Sequence, residues 1–71
     1  MITWHQSKKN ENLFRCVWDN RILLGYVVKS AAPLIPDMKV YAYWASDGTM
    51  FTGLAKAQQY VADKACSYTL D

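Results

Sequence analysis

The sequence predicts an α+β domain in which a three-stranded antiparallel sheet, four-stranded if the N-terminal segment joins it, packs on one C-terminal helix in the order β-β-β-α. Three observations carry that prediction. Two runs rich in β-branched and aromatic residues, 13–18 and 22–29, are separated only by Asp19, Asn20 and Arg21. A third such run, Lys39 to Ala45, is followed by the turn pair Asp47-Gly48. Beyond it, apolar residues recur at helical spacing from Leu54 onward.

Ile2 to His5 alternate apolar and polar, a pattern that either adds a short strand or packs against the sheet edge. The next two runs form a hairpin. With Asn20 and Arg21 as a two-residue loop, Phe14, Cys16 and Trp18 share a wholly apolar face with Leu23, Gly25 and Val27. The opposite face then carries Leu13, Arg15, Val17, Asp19, Ile22, Leu24, Tyr26 and Val28. A loop at Asp19-Asn20 instead alters the direct neighbours and keeps the same inward set. Residues 30–38 contain Pro33 and Pro36, which block regular hydrogen bonding, together with the large apolar residues Leu34, Ile35 and Met38. In the third strand, Val40, Ala42 and Trp44 fall on the inward face, and Tyr41 and Tyr43 on the outer one.

Thr52 is placed to cap a helix that starts at Gly53 and runs to about Cys66, because its hydroxyl can accept a free backbone N–H of the first turn. At 100° per residue, Leu54, Ala57, Val61, Ala65 and Tyr68 form one stripe, opposite Lys56, Gln59 and Asp63. The alanines of the stripe let the helix axis approach a sheet closely, and sheet aromatics fill the remaining space.

At 71 residues the chain is read as a single domain, 1–71, because so short a chain cannot bury two cores. Hydrophobic residues make up 52%, against 20% charged, a balance that argues for folding over disorder. The net charge of +2 is too small for the field of a dedicated nucleic-acid coat or a polybasic membrane binder. No apolar run is long enough to span a membrane, and the first residues lack a secretory pattern, so a cytoplasmic location is expected. Cys16 and Cys66, 50 positions apart, read as buried thiols and not as a disulfide framework.

The chemistry-bearing residues are few. His5 is the only histidine, which excludes a two-histidine metal site, and two distant cysteines do not have zinc-finger spacing. A nucleophilic pair of His5 with Cys16 or Cys66 has no third group to orient it. Glu11, Asp19 and Asp37 sit in turn-like contexts where such residues bond to backbone. Gly25, Gly48 and Gly53 do not form a phosphate loop. The expectation is a protein without catalytic residues, cofactor or metal.

One helix covers only one face of a sheet, and the other face is unusually apolar and aromatic. It therefore meets a partner, a second copy in a homodimer, or the chain's own N-terminal segment or proline loop. Trp18 and Trp44 belong to the inward faces, whereas Trp4, Tyr26, Tyr41 and Tyr43 have the better claims to the outside. Arg15, Tyr26, Tyr41 and Tyr43 combine flat apolar surface with donors, which suits either base stacking or a protein interface. Leu34 and Ile35, held between prolines, lose little entropy on docking and complete the candidate partner-binding set.

The segment Gly48-Thr49-Met50-Phe51-Thr52-Gly53-Leu54-Ala55-Lys56-Ala57, with Tyr60 and Ala62 beyond, resembles the end of an AP2-type DNA-binding domain. That family has three antiparallel strands followed by an alanine-rich helix, and its exposed sheet face lies in the major groove. The resemblance covers about a third of the chain and implies groove-facing roles for Arg15, Lys29, Lys39 and Trp44. The arginine-rich first strands of that family are absent here, which removes most of its phosphate neutralisation. In overall style the chain also resembles the small accessory proteins of phages and prophages, among them anti-CRISPR inhibitors that occupy a surface of a larger complex. The leading expectation is thus a non-enzymatic interaction protein that binds a protein or ribonucleoprotein partner, such as a CRISPR-Cas effector, through the outer sheet face and the Pro33 to Pro36 loop. The alternative is a sheet-face DNA or RNA binder.

Overall fold

A computed structural model describes residues 1–69 of the chain, with side chains through residue 65. Five strands form one antiparallel meander in chain order, and a helix follows: β1 (Ile2–Gln6), β2 (Leu13–Trp18), β3 (Ile22–Lys29), β4 (Tyr43–Ala45), β5 (Met50–Phe51) and α1 (Leu54–Thr69). The α+β class and the single C-terminal helix are as the sequence predicts, with more strands than expected. The N-terminal segment does join the sheet, pairing Ile2 with Trp18 and Trp4 with Cys16. The unforeseen β5 pairs Phe51 with Tyr43 and Met50 with Trp44. Two residues are too few for any alternation to be visible in the sequence.

The β2–β3 turn is closed by Arg21 N–H donating to the Trp18 carbonyl at 3.1 Å, with Asp19 and Asn20 as its central residues. Both take positive φ, 54° and 58°, which Asp and Asn tolerate because their short polar side chains satisfy the local backbone. The loop is therefore centred on Asp19-Asn20, not Asn20-Arg21. The hairpin also carries a bulge. Cys16 pairs with Gly25 but Val17 with Leu23, which leaves Leu24 as an extra residue.

That bulge corrects the inward set. Phe14, Cys16, Gly25 and Val27 do face the helix. Leu23 pairs with Val17 on the other side and is 56% exposed, while Leu24, expected outside, packs against the core. Ile22, also expected outside, pairs with Trp18 on the helix side. A one-residue insertion reverses the alternation beyond it, and no feature of the sequence marks where it occurs.

The core is built from small residues. Cys16, Val27, Ala45, Ala57 and Val61 are its buried members, with Phe14, Trp4, Leu24, Tyr43, Phe51, Leu54 and Tyr60 half-buried around them. The helix stripe Leu54, Ala57, Val61 and Ala65 is the one expected, and Lys56, Gln59 and Asp63 are exposed opposite it. The side chains of Tyr68 and Cys66 lie outside what is described. At Gly25 the helix comes so near that an added Cβ would lie 2.7 Å from Val61 Cγ1. At this position only glycine, with no Cβ, allows so close an approach without displacing Val61.

The aromatic residues are consequently displaced from where hydrophobicity alone puts them. In β4 the small Ala45 takes the place beneath α1, opposite Val27, so Trp44 turns to the uncovered face and Tyr43 turns toward the helix. Trp44 and Tyr43 thus exchange the roles assigned from the sequence. Trp18 is on the helix side but 37% exposed, beyond the ground that α1 covers, while Trp4 is half-buried against the core. The helix begins at Leu54, one residue late, because Ala57 N–H donates to the Gly53 carbonyl at 3.2 Å. Gly53, not Thr52, therefore holds the cap position, and the helix extends to Thr69 instead of ending near Cys66.

The third strand is shorter than Lys39 to Ala45. Lys39 takes φ 52° after a 3₁₀ turn at Pro36–Met38, and Val40 pairs only with Ile35 as an isolated bridge. Residues 30–42 form a hairpin-like finger. Its base is tied by Ser30 N–H to the Ala42 carbonyl at 2.8 Å and Ala42 N–H to Ser30 Oγ at 3.2 Å.

Candidate functional site

Strand pairing arranges the uncovered face in three rows. One row is Leu13, Val28, Trp44 and Met50, the next is His5, Arg15 and Tyr26, and the third is Thr3, Val17 and Leu23. Partners in a row stand about 5 Å apart and successive rows about 7 Å apart. Leu23, Tyr26, Trp44 and Met50 all expose substantial apolar surface here, and no element of the described chain lies over them.

Arg15 is central to this face, with His5 on one side and Tyr26 on the other. Two shallow depressions meet at it. One, of about 440 Å³, is lined by His5, Arg15, Val17, Asn20, Arg21 and Leu23. Its neighbour, of about 480 Å³, is lined by His5, Gln6, Ser7, Lys8, Lys9 and Arg15. Because they share His5 and Arg15, they form one trough along β1 and β2, from the β2–β3 turn to the β1–β2 loop. No carboxylate lines either half. Arg21 is partly answered by Asp19, 3.3 Å away and highly exposed, which leaves Arg15, Lys8 and Lys9 as the main source of positive potential. His5 lies 3.2 Å from Thr3 Oγ1, a contact that holds its ring along the strand.

The other predicted site residues are dispersed. Tyr43 faces the helix and does not belong to this surface. Tyr41 precedes β4 and is half-buried, with the Lys29 ammonium 4.1 Å from its ring centre, so both are engaged with each other. Leu34 and Ile35 are exposed on the finger, joined there by Met38, where Leu34 N–H donates to the Val40 carbonyl at 2.6 Å. Of the expected set, the structure brings together only Arg15 and Tyr26. It adds His5, Lys8 and Lys9, which sequence reasoning missed, and Trp44, which strand alternation places inward and the AP2-type resemblance places on the open face. The Lys8-Lys9 pair followed by Arg15 was visible, but its grouping with His5 depends on β1 joining the sheet.

A second polar cluster lies on the helix side. Asp47 Oδ2 accepts from Tyr60 Oη at 2.5 Å and from Lys64 Nζ at 2.6 Å, and Oδ1 accepts from Thr49 N–H at 3.0 Å. The Lys64 ammonium, with the Tyr60 hydroxyl, holds the Asp47 carboxyl well below the usual carboxylate range, and Asp47 in turn raises Lys64 above its usual range. These groups answer one another and tie the β4–β5 turn to α1. They border a hollow of about 210 Å³ and are arranged as a structural clamp, with the Phe51 ring 5.2 Å from that of Tyr60. Among the described residues, no three of His, Cys, Asp and Glu gather as a metal site. No described helix is long and apolar enough to cross a membrane.

No protein-family model, no curated protein and no solved structure matches the chain. The surface itself therefore carries the functional argument.

Proposed function

We propose that this chain is a non-enzymatic interaction domain of the phage accessory type, which acts by laying its uncovered sheet face on a protein or ribonucleoprotein complex. One observation carries the reading: Leu23, Tyr26, Trp44 and Met50 are exposed together on the face opposite α1. Large apolar side chains gathered on one face are costly in water and are the kind of anchors from which interfaces are made. The finger with Leu34, Ile35 and Met38 is a second apolar element, available to extend the contact.

A photoreactive residue at Tyr26, compared with one at the exposed helix position Gln59, tests this in producing cells. Discrete covalent adducts from position 26, absent from position 59, are expected. Equal labelling from both positions, or none from position 26, would overturn the reading.

A further inference from the structure

The partner can be specified further from charge. We infer that the outer face takes a single strand of nucleic acid, with phosphates along the Lys8–Lys9–Arg15 trough and bases stacked on Tyr26 and Trp44. The inference rests on the outer face being the docking surface, and it names the component of the complex that this face takes.

Two independent features converge on one strand. The trough offers ammonium, guanidinium and imidazole donors and no lining carboxylate, so it complements a row of anionic oxygens. His5 and Arg15 on the paired strands β1 and β2, with Lys8 and Lys9 in the loop that joins those strands, spread the donors over a length that suits an extended backbone better than one isolated anion. Beside the trough, Tyr26 follows Arg15 in the same row, and Trp44 pairs with Val28 two residues along β3. Tyr26 and Trp44 are therefore diagonal neighbours, about 7–8 Å apart, on the same face. That separation matches successive unstacked bases, and both rings are partly exposed. A protein partner would have to place carboxylates over Arg15 and apolar groups over Trp44; a single strand carries both chemistries in every nucleotide. A duplex presents phosphates but keeps its base faces stacked, so it cannot use the aromatic pair.

The overall charge of +2 is unevenly placed: Asp47 pairs with Lys64 and Asp63 lies beside Gln59 on the helix, both away from the trough. Asp19 pairs with Arg21 at one end of the trough and Glu11 stands in the β1–β2 loop at the other, so Arg15, Lys8 and Lys9 carry its attraction for phosphate.

The test is fluorescence anisotropy of a labelled thymidine oligonucleotide of about 20 nucleotides with the full chain. Saturable binding is expected, weakening about 20- to 50-fold between about 50 mM and about 200 mM salt if three or four phosphates are neutralised. Arg15→Glu should abolish it, and Lys8→Glu with Lys9→Glu should weaken it and flatten the salt dependence. Trp44→Leu should weaken it about tenfold without changing that dependence. Lys56→Glu, on the far side of the helix, should leave it unchanged, and circular dichroism confirms that each variant is folded. No saturable binding at the lower salt, or an equal loss in Lys56→Glu, overturns the inference. So does a duplex bound as tightly as the single strand with Trp44→Leu neutral. If the oligonucleotide fails but position 26 still forms protein adducts, this occupant is rejected and the docking face stands; if those adducts are also absent, both readings fall.

Discussion

The two faces of the sheet are made from adjacent residues of the same strands, yet they solve opposite problems. Beneath the helix stand Gly25, Val27 and Ala45, all buried; on the reverse stand Tyr26, Val28 and Trp44, of which the two aromatics are exposed. At these six positions of β3 and β4 the larger side chains are thus on the uncovered side. Hydrophobicity alone would have reversed this arrangement. What decides it is the distance between helix and sheet, set by Gly25 against Val61 and by the alanines at 45 and 57. A close approach gains dispersion contacts over the whole interface, and it excludes any indole from the space between. The aromatics then either rim the core, as Tyr43 and Phe51 do, or turn outward, as Trp44 does.

The sharpest way to break this contrast is to enlarge a residue under the helix. Ala45→Leu should cost about 3 kcal/mol or more, because the added methylenes meet the helix with no room to relax. In so small a domain that is enough to remove a cooperative thermal transition. Trp44→Leu, one residue away on the open face, should stay within about 1 kcal/mol in the same melts. If the two variants behave alike, the faces do not differ in packing.

Truncation probes the same contrast from the other direction. Val27→Ala should lose about 2 kcal/mol through its cavity, and Val28→Ala clearly less, as read from urea midpoints at unchanged slope. Gly25→Ala should lose about 1–2 kcal/mol from the clash with Val61. Val61→Ala in the same chain should recover part of that loss, so that the double-mutant cycle shows favourable coupling. Strict additivity would remove the close approach as the cause.

The smallest effect concerns the clamp on the helix side. The folded Asp47 carboxyl titrates below its ordinary 3.8, so its contribution is complete above that value and is lost as pH falls below it. Lys64, raised above its ordinary 10.5, contributes throughout the range below that value and loses only as pH rises beyond it. Asp47→Asn should therefore lower stability slightly at neutral pH, since both side chains are partly exposed. It should also flatten the acid limb of the stability curve below about pH 4, measured by denaturation midpoints against pH. An unchanged acid limb would show that the clamp contributes nothing.

Much of the frame was legible in the residues. The alternation of 13–18 and 22–29, a tight turn within Asp19-Asn20-Arg21 and the 100° stripe of Leu54, Ala57, Val61 and Ala65 each reflect interactions between near neighbours, although the two central residues of that turn were left open. The site was less legible. Arg15 and Tyr26 could be placed on one face because β2 and β3 are joined by a short turn. His5 and Lys8 could not be grouped with them, because the paired position of β1 depends on a separate segment adding to an edge. Tyr43 was misplaced because alternation gives two sets and does not say which of them the helix will cover.

Local periodicity and turn propensity are properties of a few consecutive residues, and they determined the class of fold, the hairpin and the buried stripe of the helix. The bulge at Leu24, the choice of Ala45 over Trp44 for the interior, and the meeting of His5, Arg15 and Tyr26 were decided only in three dimensions. Each follows from how closely one element can approach another, and that distance is fixed by side chains far apart in the chain.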